Sequence, residues 1–92
     1  MEITEERLRL VKEPGKLRAA ASITIDDCFV VHDLRVVETE GGLFVAMPNK
    51  RMGTGEFRDI AHPINNDTRD YIAKLVIDKY KEESEHANSF PQ

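Results

Sequence analysis

The sequence has a single cysteine, no long apolar run and no surplus of positive charge. Its one cysteine, Cys28, cannot form a disulfide within the chain and cannot supply a multi-thiolate metal site. No stretch approaches the roughly 20 apolar residues that cross a bilayer. The first residues are acidic, whereas a secretion signal is basic and then apolar. We therefore expect a protein of the reducing cytoplasm that has no membrane anchor.

The composition indicates one folded domain. Of 92 residues, 40% are hydrophobic and 33% are charged, which excludes a disordered or fibrous chain, and this length suits one domain rather than two. The 13 Lys and Arg residues against 17 Asp and Glu residues give a formal charge of -4. This balance argues against a protein that coats nucleic acid through its overall charge, so a nucleic acid would have to bind a local patch.

Turn-forming residues divide the first part of the chain into segments of strand length. Pro14 and Gly15, for example, suit the centre of a type II turn between two strands of a hairpin. Alternation and turn spacing predict strands at residues 3–12, 17–26, 29–37, 43–47 and 57–62. The third and fourth are apolar at both alternating positions, which is typical of strands buried on both faces. The last is a candidate edge strand, because it stops at Pro63, which cannot donate to a ladder.

One amphipathic helix is predicted over about Thr68 to Glu83, capped by Asn66 or Asp67. Its apolar stripe consists of Ile72, Leu75, Val76 and Tyr80. Beyond it the periodicity is lost. We therefore predict a single domain at residues 1–83 and a flexible tail at residues 84–92, in which only Phe90 would dock.

These elements predict an α+β fold, an antiparallel sheet of about five strands followed by one C-terminal helix. One helix covers one face of a sheet, yet residues 29–37 and 43–47 carry apolar side chains on both faces. At roughly 25 cal/mol per Å², several exposed Val, Phe and Leu side chains would forgo several kcal/mol, comparable with the stability of a small domain. We predict a homodimer formed through the sheets. The alternative is that the first hairpin folds back as a second layer.

Few residues carry catalytic or metal-binding chemistry. Cys28 has no motif that would activate it, so a buried core thiol is the preferred interpretation. His32 and Asp33 are neighbours in a strand and would point to opposite faces, which prevents them from forming a dyad. The three histidines lack the spacing of a metal motif. We predict that the protein is not an enzyme and that it has no metal, cofactor or small-molecule substrate.

The best candidate for a binding segment is residues 47–55. Lys50 and Arg51 follow Pro48, which ends a buried strand, so the two cations are predicted to lie on a loop. Arg binds phosphate as a bidentate fork and Lys as a point charge. Arg58 and Arg69 would extend this patch if their strand and helix start lie side by side. From these residues alone, a solvated turn is the simpler interpretation.

Three segments also carry a resemblance to a known family. They are DLRVV at residues 33–37, GLFVAMPNKR at residues 42–51 and GEFRDIAHPIN at residues 55–65. These segments strongly resemble the bacterial stage V sporulation protein G family of septation regulators. The likeness covers roughly residues 1–80 and weakens beyond Asp70.

The resemblance implies a small dimeric regulator of asymmetric septation, sporulation and gene expression. Family members bind DNA, and in some cases RNA, through basic residues that match Lys50 and Arg51 here. Arg69 matches the start of a family helix that helps to choose the site. The alternative is a protein–protein interaction module of the cell-division or sporulation machinery, with incidental nucleic-acid binding. The residue that favours this alternative is Ile77, an apolar side chain that lies off the apolar stripe of the helix.

Overall fold

The computed structural model of the chain describes residues 1–89, and their side chains as far as residue 85. In chain order the elements are β1 (Ile3–Leu10), β2 (Leu17–Ile25), β3 (Phe29–Thr39), β4 (Gly42–Ala46), β5 (Asn49–Arg51), β6 (Phe57–Asp59) and α1 (Asn66–Ser89). The predicted α+β class, with an antiparallel sheet followed by one C-terminal helix, is confirmed. Phe90, which was expected to dock, lies outside the described residues.

The six strands form two sheets. β1 to β4 form an antiparallel sheet in the order β1-β2-β3-β4, so each strand pairs with its neighbour in sequence. β5 and β6 pair with each other and form a second, two-stranded sheet. The prediction of an edge strand at residues 57–62 is therefore wrong. Only Phe57–Asp59 is extended. It pairs with β5, and the buried Pro48 separates β5 from β4, so both short strands lie outside the main sheet.

The position of β1 and β2 tests one of the two ways of covering the sheet, the folded-back hairpin. They lie side by side with β3 and β4 in one layer, so the alternative in which the first hairpin folds back as a second layer is wrong. In the single chain, apolar side chains of β3 and β4 stay exposed, namely Phe29 at 63%, Val30 at 46% and Phe44 at 46%.

A tight turn joins β2 to β3. Asp26 and Asp27 have φ values of 51° and 57°, and the Cys28 amide donates a hydrogen bond to the Ile25 carbonyl over 3.0 Å. Two central residues with positive φ are the pattern of a type I′ hairpin turn, which Asp tolerates better than most residues. Cys28 ends this turn and is exposed. The prediction that it is a buried core thiol is therefore wrong.

The core lies between one face of the four-stranded sheet and α1. Leu34, Val36 and Val76 are fully buried there. The predicted apolar stripe of the helix is confirmed, since Ile72 and Val76 are buried in this core and Leu75 and Tyr80 pack against it. Two tyrosine hydroxyls also join the helix to the sheet. Tyr71 Oη accepts a hydrogen bond from the Ile3 amide at 3.0 Å, and Tyr80 Oη accepts one from Arg18 at 3.5 Å.

Both ends of α1 differ from the prediction. The side-chain oxygen of Asn65 accepts a hydrogen bond from the Thr68 amide at 2.7 Å, so Asn65 is the N-cap rather than Asn66 or Asp67. The helix continues to Ser89, beyond the predicted end at Glu83. Residues 84–89, with the sequence SEHANS, carry no apolar stripe that would have indicated this extension. No helical segment within residues 1–89 has both the length and the apolar content of a membrane span.

Replacing the cap should destabilise the protein. We expect Asn65→Ala to lower the free energy of unfolding by about 1 kcal/mol, because the Thr68 amide loses its acceptor. Asn66→Ala is the matched control, since Asn66 is exposed and its side chain caps no described amide. Urea unfolding followed by circular dichroism measures both. Equal stability of the two variants would contradict the assignment of the cap.

Truncation within the core should have a larger effect. Leu34 is 0% exposed, and we expect Leu34→Ala to lower the free energy of unfolding by about 2–5 kcal/mol through lost burial and a residual cavity. Leu17→Ala removes the same atoms from a side chain that is 38% exposed and should have a much smaller effect. The same unfolding experiment compares them, and a similar loss in both variants would place the core elsewhere.

Candidate nucleic-acid interface

Lys50 and Arg51 lie in a strand rather than on the predicted loop. Both belong to β5, which pairs with β6 through a short turn. The Met52 amide donates to the Glu56 carbonyl at 2.6 Å, and the Gly55 amide donates to the Met52 carbonyl at 2.9 Å. Gly55 has φ of 91°, a value that favours glycine. We call residues 49–59 the ribbon.

The ribbon places two cations directly opposite each other. Lys50 is the cross-strand partner of Arg58, and such partners have Cβ atoms roughly 5 Å apart on one face. Like charges in this position repel each other. Within residues 1–85, no carboxylate lies within 4.0 Å of either side chain. An anion bound at this pair would therefore relieve the repulsion.

Arg69, in the first turns of α1, lies beside Arg58. One open hollow at the junction of ribbon and helix is lined by Phe57, Arg58, Asp59, His62 and Arg69. Arg58 in β6 and Arg69 at the start of α1 thus lie side by side, as the predicted extension of the basic patch requires. Asp59 contributes one negative charge to the same hollow.

Arg51 lies apart from this group. Side chains alternate along a strand, so Arg51 and its cross-strand partner Phe57 occupy the face of the ribbon opposite to Lys50 and Arg58. Phe57 is 67% exposed. The structure therefore pairs Lys50 with Arg58, brings Arg58 and Arg69 to one hollow, and places Arg51 next to an exposed aromatic ring that sequence reasoning missed. The pairing with β6 is what reveals this neighbour.

Several other cations already have partners, among them Arg18 and Lys74. Arg18 donates to Tyr80 Oη and lies 3.6 Å from Glu38, and the hydrogen bond with Tyr80, more than the Glu38 charge, raises the pKa of the guanidinium. Lys74 donates to Asp78 over 2.8 Å, and this hydrogen bond raises the pKa of the ammonium. Both groups are cations at neutral pH whose charge is shared with a neighbour, in contrast to Lys50 and Arg58.

The remaining candidates for chemistry are not assembled into a site. A bulge in the β2–β3 pairing breaks the strand alternation opposite Ser22, and Asp33 there has φ of 68°. His32 and Asp33 both line a hollow beside Ser22. Within the described part of the chain, no three side chains of the His, Cys, Asp or Glu type come together as a metal site.

Comparison with known proteins identifies the family. The sequence model of the SpoVG family matches residues 1–82. The chain belongs to the SpoVG family. This confirms the resemblance read from the three sequence segments. The match includes all six strands and most of α1, so the ribbon with its basic residues is part of the shared SpoVG domain.

Several SpoVG relatives carry the name "Putative septation protein SpoVG". The protein of Agathobacter rectalis is 55% identical over 86 residues, which are 94% of this chain and 99% of the relative. That of Staphylococcus carnosus is 56% identical over 85 residues, 92% of this chain and 79% of the relative. A Listeria monocytogenes relative, named as the second such protein, is 58% identical over 81 residues, 88% of this chain and 79% of the relative.

Proposed function

We propose that the chain is a cytoplasmic regulator of septation, sporulation and gene expression that binds DNA, and RNA in some cases, as a homodimer. The observation that carries this proposal is the unpaired cross-strand pair of Lys50 and Arg58, with Arg69 at the same junction. The septation role is supported by the names of the SpoVG relatives. The residues that contact nucleic acid are Lys50, Arg51, Arg58 and Arg69.

The charge distribution favours a local phosphate-binding site. The chain carries a formal charge of -4, so its overall field repels nucleic acid and binding must come from concentrated cations. Arg58 and Arg69 can bind phosphate oxygens bidentately, while Lys50 contributes a point charge. Four phosphate contacts, from Lys50 and Arg51 of both protomers, give a salt slope near -3.6, which is about a hundredfold loss of affinity between 50 and 200 mM salt. These contacts position the nucleic acid and do not read bases.

The unprotected edge of the four-stranded sheet supports the proposed dimer. β4 is an edge strand, and it pairs only with the second half of β3. The open edge thus consists of β4 and the first half of β3. It carries three exposed apolar side chains, Phe29, Val30 and Phe44. An exposed apolar edge is a template for pairing with another chain. A second copy paired along this edge extends the sheet, covers these side chains and doubles the number of cations.

Light scattering at micromolar concentration tests the dimer. We expect a mass of twice 10.5 kDa for the unchanged chain. Phe44→Lys should shift the population towards monomer while the circular dichroism spectrum stays that of a folded protein. Ile64→Lys is the control, because Ile64 is 90% exposed and lies outside the β3–β4 edge. A folded 10.5 kDa particle for the unchanged chain would refute the dimer.

A salt titration of duplex binding tests the ribbon. We expect the double variant Lys50→Ala with Arg51→Ala to weaken binding and to reduce the salt slope by about 2 per protomer. Lys74→Ala with Lys81→Ala is the matched control, since it removes two cations from the exposed face of α1. Fluorescence anisotropy between 50 and 200 mM salt gives both quantities. Unchanged affinity and slope in the ribbon variant would contradict the assignment.

A protein–protein interaction module is the second candidate. It is favoured by exposed apolar side chains near the ribbon, Phe57 at 67%, Ile60 at 68% and Ile64 at 90%. Ile77, its indication in the sequence, is half-buried and so offers little free surface. Titration in physiological salt against genomic fragments and random competitor DNA separates the two candidates. Only the regulator predicts a preference that survives the competitor.

A further inference from the structure

The face of the four-stranded sheet that is turned away from α1 carries three arginines. Leu8 and Leu34 pack in the core, so the residues next to them in β1 and β3 point to the opposite side. Those residues are Arg7, Arg9 and Arg35. Between the two strands, β2 presents the small residues Ala20 and Ser22 on the same side. We call this group, Arg7, Arg9, Ala20, Ser22 and Arg35, the open face.

Strand register places two of these arginines in one row. Arg9 is the partner of Ala20, and Ala20 is the partner of Arg35. Adjacent strands lie roughly 5 Å apart, so the two arginine backbones are roughly 10 Å apart with only a methyl group between them. A hollow lies on each side of Ala20, because β2 carries only small side chains between the two arginines. Both guanidinium groups can therefore reach a ligand lying across Ala20.

These two arginines have no acidic partner. Arg7 forms an ion pair with Glu5 at 3.1 Å, but within residues 1–85 no carboxylate lies within 4.0 Å of Arg9 or Arg35. Asp33 lines both hollows and contributes a negative charge there. Guanidinium groups are weakly hydrated and bind phosphate bidentately. Unpaired arginines that flank small residues therefore favour a phosphate ligand over an apolar one.

The open face is continuous with the ribbon. Asn49, the first residue of β5, lines the same hollow as Ala20 and Arg35. Arg51 lies two residues further along β5 and therefore on the same side as Asn49. A path of basic and amide side chains thus leads from Arg51 past Asn49 to Arg35 and Arg9. It also gives a role to Arg51, which faces away from Lys50 and Arg58.

We propose that the open face is a second phosphate-binding surface, on which Arg9 and Arg35 bind the backbone of the nucleic acid that the ribbon engages. This inference rests on the proposed function, because it assigns more residues to the same ligand. The open face adds affinity and fixes the path of the backbone. The bases are not read there, since its polar groups contact phosphate.

The test uses the full chain with Arg9→Gln and Arg35→Gln together. The readout is anisotropy of a labelled duplex, and of one of its strands alone, between 50 and 200 mM salt. We expect the salt slope to fall in magnitude by about 1.8 per protomer, roughly 0.9 for each lost contact. The matched control is Lys74→Gln with Lys81→Gln, which removes two charges from the opposite side of the molecule. A loss no larger than in this control overturns the proposal.

A second variant and a mass measurement guard against indirect effects. Arg35 is half-buried and the double variant can fail to fold for that reason, whereas Arg9 is exposed. In that case Arg9→Gln alone is used. The salt slope of its duplex binding should fall by about 0.9 per protomer. Light scattering must give the same mass as for the unchanged chain. A drop in mass would show that the open face is an interface between copies, and this overturns the proposal.

Comparison with the ribbon variant separates the two hypotheses. If Lys50→Ala with Arg51→Ala weakens binding and the open-face variant does not, the proposed function stands and the open face is refuted. If the open-face variant alone weakens binding, the second surface stands and the ribbon assignment is refuted. If the unchanged chain binds neither duplex nor single strand, both hypotheses fail.

Discussion

The structure depends on the packing of one helix against one face of one sheet. Leu34 and Val36 of β3 meet Val76 of α1 in a thin core, and hydrophobic burial is the main source of stability for so small a domain. Two tyrosine hydroxyls hold the helix to β1 and β2 at its borders. Because the chain contains only this one helix within its described residues, everything on the other side of the sheet remains at the surface.

This arrangement explains where binding surfaces can form. The ribbon pairs only with itself, and a two-stranded sheet by itself is marginally stable in water. It nevertheless holds Lys50 opposite Arg58, an arrangement that opposes folding slightly and favours an anion. The uncovered face of the main sheet likewise presents Arg9 and Arg35 across a single alanine. Both surfaces arise from backbone pairing, which places cations that are distant in sequence within reach of one ligand.

Much of the fold could be predicted from local patterns, and the errors have definite physical causes. The helix stripe was correct because burial against a sheet requires apolar residues at helical spacing. Cys28 was placed in the core on the basis of its residue type, but two consecutive aspartates with positive φ turn the chain there and expose it. The helix end was placed too early because residues 84–89 carry no apolar periodicity that would indicate a helix.

The sequence by itself determined the four strands of the main sheet, the helix stripe, the family and the identity of the basic residues. These depend on side-chain alternation, turn chemistry and motif similarity, all of which are local. Only the tertiary structure decided that β5 pairs with β6, that Arg58 faces Lys50, and that Arg51 lies on the other side. Strand pairing brings together residues far apart in the chain, and a shift of one residue in register reverses every side chain, so local patterns do not encode which cations share a face.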